Sequence, residues 1–145
     1  MSNWRIRHIT TLVILGSLAA ACSFGPPPSC GDEIGGTADT ATFDQYFNSM
    51  TLVAKTTGQP GPQGDAGPQF AQGEPLAIQV DARAEVTLRA CIQPMGGQKE
   101  ISFDKTQTLS PGLGTFELGP FEPGTYVIRV IIGNTLVKNF PFQVR

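Results

Sequence analysis

The sequence is short of the side chains on which most nucleophilic enzymes and zinc sites depend. Its single histidine and single tryptophan, His8 and Trp4, both lie within the N-terminal segment 1–21. If that segment is removed on export, no serine–histidine or cysteine–histidine nucleophile pair is available. The chain has only three cysteines, which are too few for an all-cysteine zinc site. We therefore expect no metal and no cofactor.

Basic residues are also scarce. The chain has 10 Lys and Arg against 12 Asp and Glu, and removing Arg5 and Arg7 with segment 1–21 leaves 8 basic side chains and a formal charge of −4. Nucleic-acid-binding proteins usually carry basic clusters, which this chain lacks. Electrostatic attachment to anionic lipid would need such clusters too. We therefore expect no nucleic-acid partner.

Segment 1–21 has the layout of a secretory signal peptide. Arg5 and Arg7 precede an apolar run from Ile9 to Ala21, which ends in small residues. A charged start, a short apolar core and a small-residue exit are typical of export signals. A spanning helix needs about 20 apolar residues, more than this run offers. The pattern therefore predicts a cleaved signal peptide over residues 1–21.

A cysteine directly follows this signal. The segment Ala19-Ala20-Ala21-Cys22 resembles the lipobox of bacterial lipoproteins, in which small or aliphatic residues precede an obligatory cysteine. It departs from the usual form at one position, because Ala19 stands where Leu is preferred and Leu18 comes one place earlier. The resemblance implies cleavage before Cys22 and a lipid anchor on that residue. The alternative is an ordinary signal, cut near Ala21, that leaves Cys22 free.

The resemblance also implies a location and partners. The residue after the cysteine is Ser23 rather than Asp, which in lipoproteins of bacteria with two membranes favours the outer membrane. In bacteria with one membrane, the anchor would lie in the outer leaflet of the plasma membrane. The expected partners are therefore the membrane, through the lipid on Cys22, and a protein of the cell envelope.

Residues 22–45 are predicted to be a lipidated N terminus and a flexible Gly/Pro tether, with a Gly-Pro-Pro-Pro run at 25–28. Cys30 and Cys91 remain after lipidation, and an even pair in an exported chain indicates a disulfide. Alternation places Cys91 on the outward side of its strand, so the bond would staple the tether to that side. Two unpaired thiols are the alternative.

Residues 46–145 are predicted to be an all-β domain. Apolar residues alternate with polar ones over short segments, which is the pattern of half-buried strands. The predicted strands are one beginning near Phe47, then 76–81, 85–93, 101–104, 116–118, 126–132 and 140–144. About seven short strands joined by Gly/Pro turns favour a β-sandwich.

Short sequence motifs predict further details of this domain. Gly133-Asn134 predicts a tight hairpin, and Pro141 predicts an edge strand. Thr42 with Gln45 fits a capping box for a single helical turn before the first strand. The segment FEPGTY at 121–126 resembles the turn before a late strand in immunoglobulin-like sandwiches, which implies that the tyrosine hydroxyl ties down a corner. The antibody-type pattern of core cysteines and tryptophan is absent.

Residues 56–73 form a long stretch rich in glycine and proline. Glycine recurs every third residue for four triplets, which is the collagen period, but four triplets are too few for a triple helix. The stretch is therefore predicted to be a flexible loop, and loops of this length tend to be functional or disordered. The candidate binding loop consists of Gly58, Gly61, Gly64, Gly67 and Phe70.

Chemical function has weak support in the sequence. Glu117, Glu122 and Asp104 could act as acid and base in sugar hydrolysis or bind calcium, but they are expected to be solvated, and no catalytic residue is predicted. Arg89 and Arg129 are expected to face solvent or pair with acids across strands. The predicted function is a membrane-anchored lipoprotein whose β-sandwich is a binding or structural module. The alternatives are an envelope carrier of lipid or sugar and, ranked last, a carboxylate-based hydrolase.

Overall fold

The described part of the chain consists of strands and one short helix. The computed structural model describes Cys30, residues 36–96 and residues 101–145. Their order along the chain is α1 Thr40–Tyr46, β1 Phe47–Ala54, β2 Gln63–Gly64, β3 Gly67–Phe70, β4 Leu76–Ala82, β5 Val86–Pro94, β6 Phe103–Leu109, β7 Gly112–Gly119, β8 Gly124–Ile132 and β9 Thr135–Val144. The predicted all-β class is confirmed. Within the described residues, no helix is long and apolar enough to cross a membrane.

The strands form two sheets that share one apolar core. The first sheet has the order β1-β4-β7, and the second has the order β2-β3-β9-β8-β5-β6. Neighbouring strands are antiparallel except for β3 and β9, which are parallel. The core takes side chains from both sheets, including Phe47, Ile78 and Phe116 from the first and Ile92, Ile128 and Phe142 from the second. Burying one such side chain is worth about 1.5–3 kcal/mol, so this shared core is the main stabilising feature.

Alternation along the strands fixes which side chains enter the core. In β5, Leu88, Ala90 and Ile92 belong to the shared core, whereas Cys91 lies in a separate small cluster with Cys30. We call the side of the six-stranded sheet that faces away from the shared core its outer face. Cys91 therefore lies on the outer face, as the alternation predicts.

The hairpin between β8 and β9 is confirmed. Ile132 pairs with Thr135 across the two residues Gly133 and Asn134. Gly133 has φ +56°, a left-handed value that glycine adopts without steric cost and that tight hairpin turns require.

The start of the domain contains both a short helix and a strand, the two structures that the sequence allowed there. Helix α1 ends at Tyr46, and β1 begins at Phe47, as predicted. The predicted capping box is wrong, because the N-cap is Asp39, whose Oδ1 accepts from the Thr42 backbone N–H at 3.0 Å. A carboxylate at this position satisfies an N–H that the first helical turn leaves without a partner.

Two further strand predictions need correction. Strand β9 is not an edge strand, because it lies between β8 and β3. Pro141 lies outside the positions at which β3 pairs, Gln143 and Val144, so its missing N–H costs no hydrogen bond there. The strand predicted at 101–104 begins later, at Phe103, and Ile101 is exposed.

Tyr126 ties down the turn that leads into β8. Its hydroxyl donates to the Glu122 carbonyl oxygen at 2.9 Å, which is the contact predicted from the FEPGTY segment. Its ring stacks on Phe142, with 5.3 Å between the ring centroids, and packs 5.6 Å from the ring of Phe121. The residue therefore joins the turn to the core by a hydrogen bond and by aromatic contact.

Replacing Tyr126 with Phe should separate these two contributions. The Tyr126→Phe variant keeps the ring and loses the hydroxyl, so we expect the free energy of unfolding to fall by about 1 kcal/mol. Urea unfolding measures this loss. Tyr46→Phe is the matched control, because the Tyr46 side chain makes no hydrogen bond with the described residues, and an equal loss in both variants would contradict the corner role.

Candidate functional site

The candidate binding loop is an ordered part of the six-stranded sheet. Strand β3 lies within residues 56–73 and pairs in parallel with β9, at Phe70↔Val144 among other positions. The Arg145 N–H donates to the Phe70 carbonyl at 3.0 Å, and the Gln72 N–H donates to the Arg145 carbonyl at 2.9 Å. The prediction of a flexible loop throughout 56–73 is therefore corrected, because a Gly/Pro-rich sequence here adds an edge hairpin to the sheet.

The glycine period follows from close backbone packing rather than from a collagen-like helix. A side-chain carbon at Gly61 would overlap the Gln69 carbonyl oxygen, and one at Gly64 would overlap the Gln69 side chain. At Gly67 it would overlap the Pro141 carbonyl oxygen, and φ is also +105°. Gly58 has φ +67°. Gly58, Gly61 and Gly67 thus each have a steric or conformational reason for glycine, whereas the overlap at Gly64 is with a flexible side chain that can move.

Phe70, the aromatic member of the candidate binding loop, offers a partner only the 5% of its surface that is exposed. It is buried in the shared core, with its ring centroid 6.3 Å from that of Phe142. The loop instead borders a surface groove of about 390 Å³, whose charged residues are Glu74 and Arg145. The groove offers a ligand one carboxylate, one guanidinium and the backbone groups of Pro60 and Gly61, because the Gln59 and Pro62 carbonyls already accept from the N–H groups of Ala54 and Gln69.

The N-terminal segment is attached to the outer face of the six-stranded sheet at several points. Cys30 and Cys91 are joined by a disulfide, with their Cα atoms 5.7 Å apart, and both are fully buried beside Ile131 and Leu136. This attachment lies in the middle of β5. The tether predicted at 22–45 is therefore fixed to the domain at residue 30.

Residues 36–45 are also part of the folded unit. The Asn139 side-chain amide donates to the Gly36 carbonyl at 3.0 Å, and the Asp39 N–H donates to the Leu136 carbonyl at 2.8 Å. A donor and an acceptor of β9 are thus engaged by the segment before α1. The folded unit consequently begins before residue 46, the boundary expected from the sequence.

One row of side chains on the outer face links these attachments. Cys91 pairs with Arg129, and Arg129 pairs with Asn139, across β5, β8 and β9. Arg129 is only 7% exposed and Gln93 1% exposed, so the prediction that Arg129 faces solvent is wrong, and none of the described acids forms an ion pair with it. Within the described residues, Arg129 Nε and Nη1 and both polar atoms of the Gln93 side chain have no hydrogen-bond partner. Burial of a guanidinium is costly without a partner.

The three acidic residues considered as acid–base candidates, Asp104, Glu117 and Glu122, each interact with a basic or amide side chain. Arg89 Nε and Nη2 donate to Asp104 Oδ1 and Oδ2 at 2.8 and 2.6 Å, so of the two outcomes expected for Arg89, exposure to solvent or a pair with an acid across strands, the second is found. Lys55 Nζ lies 2.8 Å from Glu117 Oε1. The Arg89 hydrogen bonds lower the pKa of Asp104, and the Lys55 hydrogen bond lowers the pKa of Glu117. A general acid needs the opposite shift.

Glu122, the remaining acidic candidate, accepts from the Gln72 side-chain amide at 3.0 Å. Cys30, Cys91 and Asp104 bring three metal-capable atoms within 4.8 Å of one another. Both sulfur atoms belong to the disulfide, and the Asp104 carboxylate forms an ion pair with Arg89. This set therefore offers no free metal ligand.

Comparisons with known proteins add little. No family model matches the chain, and no curated protein sequence matches it. A crystal structure of a beta-glucosidase from Listeria innocua is similar to part of the chain, with a TM-score of 0.38 and 17% identity over 66% of this chain. The chain spans 16% of the length of that enzyme. A similarity of this size carries no argument about fold or activity.

Replacing Gly67 with Ala tests whether the edge hairpin depends on close packing. The Gly67→Ala variant combines a strained φ with overlap on the Pro141 carbonyl, so we expect a loss of about 2–4 kcal/mol in the free energy of unfolding. Gly73→Ala is the matched control, because Gly73 has φ +75° but nothing within 4 Å of the added carbon, and about 1 kcal/mol is expected. Equal losses in chemical denaturation would show that overlap at Gly67 does not matter.

The Arg89–Asp104 pair predicts a specific dependence of stability on pH. The pKa of Asp104 is lower in the folded chain than in the unfolded chain, so the pair stabilises the fold above about pH 4, the ordinary value for Asp, and this contribution is lost as pH falls through the lowered pKa. We expect Asp104→Asn to reduce stability at pH 7 by up to about 1 kcal/mol, since the pair is partly exposed. The difference from wild type should shrink in unfolding measured toward pH 2.

Glu117→Gln is the comparison for this experiment. Lys55 lowers the pKa of Glu117 in the same direction, but the Glu117 side chain is 58% exposed and solvent screens the pair, so a smaller loss of stability is expected. A wild-type curve whose pH dependence is unchanged by Asp104→Asn would contradict the assignment.

Proposed function

We propose that the chain is a bacterial lipoprotein that is exported, cleaved before Cys22 and anchored to a membrane by a lipid on that cysteine. The observation that carries this proposal is the sequence Ala19-Ala20-Ala21-Cys22 at the end of a short apolar run that starts at Ile9. The signal peptide and Cys22 lie outside the described residues. One acyl chain binds a membrane only reversibly, so stable anchoring would need at least two chains on this residue.

The domain that this anchor would hold is, in our proposal, an immunoglobulin-like β-sandwich. The two sheets with their shared core support it. The hydrogen bond from Tyr126 to the Glu122 carbonyl also supports it, because a tyrosine corner is common in such sandwiches. The fold alone names no partner, since sandwiches of this kind serve many functions.

We propose that the domain is a binding or structural module of the cell envelope rather than an enzyme. Asp104 and Glu117 are engaged by basic side chains, and their lowered pKa values disfavour acid catalysis. The groove beside residues 59–62 is the proposed contact region for a protein partner, because ordered backbone groups and the Glu74 and Arg145 side chains meet there. With Ser23 after the lipidated residue, the outer membrane is the proposed location in bacteria with two membranes.

Intact-mass measurement of the membrane-extracted protein tests the anchor. We expect the wild-type protein to begin at Cys22 and to be heavier than the mature polypeptide by its acyl groups. The Cys22→Ala variant should lack this added mass and leave the membrane fraction. Cys30→Ser is the matched control, because it removes a different cysteine and should keep the lipid. An unmodified wild-type mass would overturn the proposal and leave an exported β-domain with a free thiol at Cys22.

A further inference from the structure

The disulfide shortens the stretch of chain that connects the domain to Cys22. Cys30 follows Cys22 by eight positions, and an extended chain spans at most about 3.3–3.6 Å per residue. With Cys30 bonded to Cys91, residue 22 lies within about 29 Å of the attachment point. Among the described residues, the next attachment of the segment is the hydrogen bond at Gly36, 14 positions after Cys22. Without the disulfide, the reach would then be about 50 Å.

The disulfide also fixes where this stretch begins. Cys91 lies on the outer face, in the middle of β5, and β6 alone separates β5 from the nearest edge of its sheet. The distance from Cys91 across β6 to that edge of the sheet is about 7 Å, or one and a half strand spacings. The sheets of such a fold lie about 10 Å apart, and side chains on both outer surfaces bring the thickness to about 20 Å.

These lengths decide which side of the domain can approach an anchor. The path from Cys91 to the far side of the domain is about 27 Å, which would use almost the whole extended tether. The outer face of the six-stranded sheet can approach the anchor with the tether slack. A fully stretched chain is entropically unfavourable, so the outer face is favoured over the far side of the domain as the surface nearest the membrane.

We propose that the outer face of the six-stranded sheet around Cys91 is the surface of the domain that faces the bilayer, and that the Cys30–Cys91 bond holds it there. This inference rests on the proposed lipidation of Cys22. The outer side of the three-stranded sheet is then turned toward other molecules of the envelope. That side carries a groove lined by Thr51, Gln79 and Thr115, next to Leu113, which is 91% exposed.

Tryptophan fluorescence can report which side lies near the membrane. The only tryptophan of the sequence is Trp4, so a mature chain that starts at Cys22 has no background signal. Thr106→Trp places a reporter on the outer face, beside Arg89 and Asp104. Thr51→Trp places a matched reporter on the opposite side, and both positions are exposed. The acylated protein is incorporated into phosphatidylcholine vesicles that contain a lipid with a nitroxide headgroup, which quenches nearby tryptophan.

We expect stronger quenching for Thr106→Trp than for Thr51→Trp when the disulfide is intact. In the Cys30→Ser/Cys91→Ser background the longer tether should bring the two values together. That background is destabilised by loss of the crosslink, so circular dichroism must confirm that it is folded. A second variant keeps the disulfide and inserts six Gly/Ser residues after Ser23, and it should reduce the difference in the same way. Equal quenching of both reporters with the disulfide intact would overturn the inference.

The test can be separated from the lipidation proposal. In the mature chain with its disulfide formed, Cys22 is the one free thiol, and it can be added across the double bond of a maleimide-headgroup lipid in vesicles. If the native protein carries no acyl group, the proposed function fails. The quenching of the coupled protein still decides which surface faces the bilayer. If the native protein is acylated and the reporters are quenched equally, the facing inference fails while the anchor stands.

Discussion

Strand β9 has two edges that must be satisfied, and the rest of the molecule is arranged around that requirement. One edge pairs along its length with β8. Along the other edge, the Leu136 carbonyl accepts from the Asp39 N–H, and Gln143 and Val144 pair with β3. An unpaired edge is a template for association with other chains, so covering it is a condition for a stable monomer. The Gly/Pro segment and the N-terminal segment, which look like linkers in the sequence, are therefore structural parts of the sheet.

The sequence predicts those parts of the fold in which local pattern and final environment agree. Alternation in β5 and β8 places Ile92 and Ile128 in the core correctly, because each strand has one face on the other sheet. The turn at Gly133 and the hydroxyl of Tyr126 are predictable because a few neighbouring residues determine them. The disulfide position on the outer face follows from the same alternation.

The remaining features depend on residues distant in sequence, and no local pattern reports them. Strand β3 has no apolar alternation, and its pairing with β9 joins residues more than 70 positions apart. Arg129 follows the outward pattern of an exposed residue, yet it is buried because the outer face carries the segment attached at Gly36 and Cys30. Asp39 caps α1 because the segment already bonds β9 at that residue. In each case the deciding contact is made by a segment that lies far away in the sequence.

The disulfide has a mechanical consequence as well as a positional one. Cys30 and Cys91 close a covalent ring with a sequence separation of 61 residues, which contains α1 and β1 to β4. A pulling force on an anchor at Cys22 would travel through the sulfur atoms into β5 and would leave this ring without tension. Strand β5 is hydrogen-bonded on both sides, to β6 and β8, so the load would be shared between two ladders. The helix and first strands, which would otherwise be peeled away first, would carry none of it.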